Sequence, residues 1–282
     1  MSSSRGRVTR ACRAASSLVA FMVLACAPQR VPESTAALEP TPLDEQPLRM
    51  VSAFFGLDNA LPPRSVALWR SAPGMDGMPV VFSRRVEEPI DPTAFTVVTR
   101  SGARLQPGFA TTRPANGTDQ RHTVLLIGEL GSEPDDPPVM VEMTGQLTVA
   151  GDADPLGMSV PVTPLGDGPS LVLAFASDPA EIESDCPPET TQIIVVVWAG
   201  GVRPLPRVTP DDHRLGYSVA TTAGDLVPIA LGNLGDGDNY EHLCLDTVAT
   251  PLRASMRGGL LMDPRNDPNP ATDVEIAGPS GR

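Results

Sequence analysis

No lysine occurs anywhere in the 282 residues, and all 21 basic side chains are arginine. That excludes a P-loop lysine, a Schiff-base lysine and a Ser-Lys dyad as sources of chemistry. Aromatic residues are scarce too: seven Phe, two Trp and two Tyr. So few rings argue against a carbohydrate-stacking surface, for which Trp69, Trp198, Tyr217 and Tyr240 are the candidates. They leave Val, Leu, Ile and Met to build the core, which suits a thin sandwich interior. The patterns G-x-S-x-G, H-E-x-x-H, G-x-G-x-x-G and C-x-x-C are all missing. Helix interiors are disfavoured throughout by 32 Pro and 25 Gly. A formal charge of −13 disfavours nucleic-acid phosphates as partners.

What is present begins at the N-terminus. Arg5, Arg7, Arg10 and Arg13 precede an apolar run, Ala14–Ala25, too short to cross a bilayer as a helix. It ends in Val23-Leu24-Ala25-Cys26, which resembles a bacterial lipobox. The resemblance implies a signal peptide over 1–25, acyl groups such as palmitate on Cys26, and a lipoprotein held on the cell envelope. In a Gram-negative cell that points to the outer membrane. Two alternatives stay open: cleavage after Ala25-Cys26-Ala27, which Pro28 opposes, and an uncleaved anchor. Several acyl chains would hold the protein where one alone is reversible. Without the leader, 17 Arg face 34 Asp and Glu, a net charge of −17. An anionic membrane repels such a body at short range, so a tether is expected. Residues 26–48 suit it, with Pro28, Pro32, Pro40, Pro42 and Pro47 among Ser, Thr and Glu.

Beyond the tether the chain reads as all-β, with domains over 49–150 and 151–276 and a disordered tail at 277–282. Short Val-rich runs at 78–83, 95–100, 123–127 and 139–144 predict strands. Further runs lie at 159–162, 171–176, 192–198, 216–221 and 242–248. A short helix is expected at Asp178-Pro179-Ala180-Glu181, where an N-cap precedes proline. Another helical turn is expected around Leu48, Val51, Phe54 and Phe55. No internal repeat is legible. Two cysteines, Cys186 and Cys244, remain outside the leader and lipid site, and export makes a disulfide between them the simplest outcome.

Within this pattern, Phe82-Ser83, Val86, Asp91-Pro92, Phe95 and Ser101-Gly102 follow an F-S-x-x-V, D-P-x-x-F, Gly-hairpin order. Residues 79–149 on this basis resemble the bacterial Ig-like domains of extracellular and surface-layer proteins. The resemblance implies tandem β-sandwich modules that bind or space, usually without catalytic residues. Arg113–Gln120 departs from the family by replacing a short link between strands.

The candidate chemistry is sparse. His122 reads as a surface or turn residue, and His213 as a turn residue after Pro210. On a strand, His242, Cys244 and Asp246 would share one face, with Leu243 and Leu245 on the other. That face is a possible zinc or nucleophile site, or else a wet face whose cysteine is bridged. Two acidic runs offer oxygen ligands for a structural Ca²⁺. One holds Asp236, Asp238, Asn239 and Glu241; the other holds Asp263 and Asp267. Neither has EF-hand spacing, and Asx side chains serve turns equally well. The expected function is therefore a non-enzymatic lipoprotein, with the membrane and an unidentified protein or cell-wall component as partners. The alternative is an exported metal-dependent hydrolase built on the Asp236–Glu241 loop.

Overall fold

Period-2 apolar runs separated by Pro, Gly and Asx turns leave the backbone one economical solution, strand pairing. The computed structural model describes residues 40–279, apart from 116, 118 and 152, and is all-β. The leader, Cys26 and the tether up to residue 39 lie outside the described residues.

The first half contributes β1 (Met50–Phe54), β2 (Asp76–Phe82), β3 (Phe95–Thr99), β4 (Arg104–Leu105), β5 (Phe109–Thr111), β6 (Thr123–Gly128), β7 (Pro138–Met143) and β8 (Ser159–Thr163). They form one sheet in the order β4-β3-β7-β8-β1-β2-β6-β5. The second half contributes β9 (Leu171–Ser177), β10 (Gln192–Trp198), β11 (Arg203–Pro204), α1 (Pro210–Arg214), β12 (Tyr217–Thr221), β13 (Gly224–Leu226), β14 (Ala230–Gly232), β15 (Tyr240–Leu245), β16 (Pro251–Met256), β17 (Leu261–Met262) and β18 (Thr272–Ala277). Its main sheet runs β13-β12-β16-β18-β9-β10-β15-β14, and β11 pairs with β17 apart from it.

These two orders are the same order. Leaving out the β11–β17 pair, each strand of the first sheet has a counterpart at the same place in the second. The only parallel pair of each main sheet joins its first and last strands, as Ala53↔Val162 and again as Ala174↔Ile276. Even an irregularity recurs. Met50↔Phe82 is followed by Ser52↔Val81, skipping Val51, and Leu171↔Trp198 by Leu173↔Val197, skipping Val172. The chain therefore carries an internal repeat that its sequence hides. Pairing assigns Phe54 to Phe175, Phe82 to Trp198, Phe95 to Tyr217, His122 to Asn239, Thr123 to Tyr240 and Val124 to Glu241.

Each sheet curls so that its two groups of four strands enclose a core. In the first, Ala53, Val80 and Val124 meet Val97, Val141 and Val160. In the second, Ala174, Ile194 and Val196 meet Val219, Ala254 and Ile276. A third cluster lies between the halves, where Val81 and Ala115 pack with Leu173, Phe175, Val195 and Tyr240. This is why β9 and β10 are apolar on both faces: one face lines their own core and the other lines the seam.

Several local expectations are corrected. The Asp178 segment is a turn, with the Asp178 carboxylate accepting the Ala180 N–H at 2.8 Å. The caps are present, but Pro187-Pro188 stops any helix before it can propagate. Leu48–Phe55 is not helical; Met50–Phe54 is strand β1. Among the described residues the one α-helix is α1, opened by a capping box between Thr209 and Asp212. The chain at both ends of the described region is also pinned. Leu43 is buried, its N–H bonds Gly278 O, and the Gly278 N–H bonds Thr41 O.

Candidate functional site

The seam gathers one group of buried polar side chains, among them His122, Thr123, Asn239 and His242. The two repeats meet through corresponding surfaces. Thr123 touches its own counterpart, Tyr240, with Oγ1 and the phenol oxygen 3.0 Å apart. Phe54 covers Gly200 so closely that a Cβ there would come within 2.6 Å of its ring. By the same equivalence Phe175 corresponds to Phe54 and Arg84 to Gly200, and both border a cavity at the seam. This cavity, of about 140 Å³, is lined by Ser83, Arg84, Asp119 and His122 from one half and by Phe175 and Glu181 from the other. Arg84 Nη2 donates to Gln46 O at 2.6 Å, while its buried Nε has no partner.

His122 is buried beside this cavity, contrary to the surface position expected. Its Nδ1 lies 3.2 Å from Phe82 O, and its ring sits 5.2 Å from that of Phe175. Its backbone N–H donates to the Tyr240 phenol at 3.0 Å. Burial pushes its pKa down to about 4, Arg85 adds to this, and the Phe82 carbonyl and Asp119 oppose it. The unfolded chain therefore takes up this proton near pH 6.5, and the folded protein only near 4. Between those values the unfolded state binds more protons, so stability falls as pH falls. We expect His122 alone to cost about 3 kcal/mol across that window. His122→Asn, which installs the residue of the second repeat, should flatten this slope in denaturation curves measured at pH 4–7.

His242 is wholly buried, not wet. Its Nδ1 lies 2.9 Å from Ser184 Oγ and its Nε2 3.0 Å from Asp119 Oδ2. Asp119 belongs to the Arg113–Gln120 segment, and through it this connection of the first half is fastened to the second. The ring, with Ser184 on one nitrogen and Asp119 on the other, completes a Ser-His-Asp chain. Ser184 Oγ also accepts the Cys186 N–H at 3.3 Å. Asp119 borders the cavity, but neither His242 nor Ser184 lines it. The arrangement works as a clasp. Cys186 and Cys244, two residues from Ser184 and His242 respectively, are joined by a disulfide.

The Asp236–Glu241 run does not converge on one point, and strand geometry is the reason. Alternation on β15 sends Tyr240, His242 and Cys244 to the seam and Glu241, Leu243 and Leu245 to the core of the second half. Glu241 there accepts from the Tyr217 hydroxyl and lies 3.2 Å from His213 Nε2, while Trp198 Nε1 donates to the Tyr217 oxygen at 3.1 Å. Burial, then Glu241, raises the Tyr217 pKa. His213 thus sits on α1 facing inward, not in an exposed turn. Asp238 caps the Tyr240 N–H at 2.8 Å, and burial raises its pKa. Asn239 Nδ2 crosses the seam to Thr123 Oγ1 at 3.1 Å, and Asp236 accepts the Asp238 N–H. Asp246 is exposed beyond the strand end. Among the described residues, no group of three or more His, Cys, Asp or Glu side chains is gathered as metal donors.

Of the four large rings considered for stacking, Trp198, Tyr217 and Tyr240 are buried, and Trp69 stacks on Phe109 with centroids 5.9 Å apart. None of the described helices is long and apolar enough to cross a membrane. No family model matches the chain, and no curated protein or solved structure matches it.

Proposed function

We propose that this chain is an exported lipoprotein, anchored to the cell envelope through Cys26, whose body is two Ig-like sandwiches acting as a non-enzymatic binding or spacer module. The observation that carries the reading is the repeated strand order. In an Ig-like sandwich, strands A, B, E and D form one sheet and C, F and G the other, with C′ added beside C in variable-type domains. Naming β1–β8 as A, B, C, C′, D, E, F and G turns the observed order into C′-C-F-G followed by A-B-E-D. The second half gives the same series. The Cys186–Cys244 disulfide fits an oxidising compartment. It is not the bridge between strands B and F of antibody domains, since Cys186 lies in the connection between β9 and β10. The hydrolase alternative has less to stand on, because Glu241 on β15 turns into the second core while Asp236 and Asp238 cap backbone N–H groups of the turn leading into that strand.

The anchor is tested by mass spectrometry of the native N-terminus. A diacyl- or triacyl-modified Cys26, lost in Cys26→Ser together with membrane attachment, is the expected result. An unmodified terminus at any other residue overturns the anchor, and the body would then be a freely exported module.

A further inference from the structure

We propose that the loop from Asp263 to Asp267, between β17 and β18, binds a calcium ion. The loop closes on itself. Asp263 Oδ1 accepts the N–H groups of Arg265 and Asp267, both at 2.9 Å, and the Asp263 N–H returns to Asp267 O at 3.1 Å. These bonds hold the fully buried Asp263 carboxylate inside the loop. Its second oxygen, Oδ2, is buried and has no hydrogen-bond partner, and the same holds for Asp267 Oδ2. The nearest cation to the latter is Arg265, with Nε at 3.5 Å.

Two buried carboxylate oxygens in five residues, neither hydrogen-bonded, leave negative charge that the Arg265 ion pair at Asp267 meets only in part. The surrounding polar groups cannot relieve it. The Asn269 amide is saturated by Leu260 N, Leu261 N, Arg257 O and Pro270 O, and Asn266 Oδ1 is taken by Arg203. Oxygen-only donors select a hard cation, and an irregular loop suits the tolerant coordination of Ca²⁺ better than the strict octahedron of Mg²⁺. Two carboxylates, completed by water and carbonyl oxygens, place the dissociation constant at about 10⁻⁴–10⁻³ M, the range of extracellular modules. The other acidic run lacks the feature: at Asp236 and Asp238 no side-chain oxygen is both buried and unpartnered. The site also has a place in the architecture. Gly168, in the connection between the halves, lies so close to Pro268 O that a Cβ would sit 1.9 Å from it. A cation in the loop would stiffen that junction.

The test is calorimetric titration of Ca²⁺ into the full, chelator-washed protein. One ion per chain is expected, with Mg²⁺ weaker. Asp263→Asn and Asp267→Asn should each weaken binding by about tenfold or more, and Asp236→Asn should leave it unchanged. Removing the competing cation with Arg265→Ala should tighten it. Should Asp263→Asn fail to fold, Asp267→Asn, at the more exposed of the two acids, carries the same test. No binding at about 10 mM Ca²⁺, or binding abolished by Asp236→Asn and untouched by Asp267→Asn, overturns the proposal.

Discussion

Replacing Glu241 by Val alone should destabilise the protein by about 2–6 kcal/mol, the cost of leaving two buried hydrogen-bonding groups without their partner. The combined variant His213→Leu, Tyr217→Phe, Glu241→Val should recover most of that loss. The first repeat supplies the reason. At the positions of Trp198, Tyr217 and Glu241 it carries Phe82, Phe95 and Val124, and its two rings meet edge to face at 6.4 Å. One backbone plan thus accepts either an apolar or a polar filling. Within the polar filling every member depends on the others. Glu241 takes the Tyr217 hydroxyl and faces His213, so removing it alone strands a phenol and an imidazole at about 1–3 kcal/mol each. Removing all three strands only the Trp198 N–H, about 1 kcal/mol. Urea denaturation with an unchanged slope measures both variants. If the triple variant is no more stable than Glu241→Val, the apolar and polar fillings are not interchangeable on this backbone.

The same comparison explains what the sequence reveals and what it conceals. All-β architecture was legible because Gln192–Trp198 and its fellows alternate or run apolar between Pro and Gly. The cysteine pair was legible because Cys186 and Cys244 are the two cysteines beyond residue 26, and in an oxidising compartment such a pair has few other fates. The repeat was not, because equivalent residues are unevenly spaced: 113 positions separate Pro138 from Pro251, but 122 separate Phe95 from Tyr217. The loops absorbed insertions while the pairing registers stayed fixed. Phe95–Thr99, FTVVT, and Tyr217–Thr221, YSVAT, are recognisably alike only once the sheets are laid side by side. The histidines misled for a different reason. Each is buried by a partner far away in sequence: His122 by Tyr240 and Phe175, His213 by Glu241, His242 by Asp119. Local composition carries no trace of such partners. A faint signal did exist at Arg113–Gln120, whose excess length over a tight link now reads as the arm that reaches His242.

Replacing Cys186 and Cys244 together by Ala should cost roughly 4 kcal/mol, the chain-entropy value for a loop of this length. The bridge spans 58 residues, from the connection after β9 to the middle of β15. That connection, 178–191, contains no strand, and apart from the bridge its holds are modest. Ser184 bonds His242, Asp185 accepts the Asn233 N–H at 2.8 Å, and Ile182 packs at the edge of the seam cluster. Each such hydrogen bond contributes only about 0.5–1.5 kcal/mol. Without the bridge the segment should therefore open locally before the sheets do. Opening takes Ser184 from His242, so the clasp that reaches across to Asp119 loses one of its ends. Hydrogen exchange should then quicken over 178–191 and around Asp119, while β12 and β16, buried in the second core and far from the bridge in the sheet order, keep their protection. An unchanged unfolding midpoint, or exchange that rises equally in β12 and β16, would show that the disulfide neither stabilises the chain nor controls the seam.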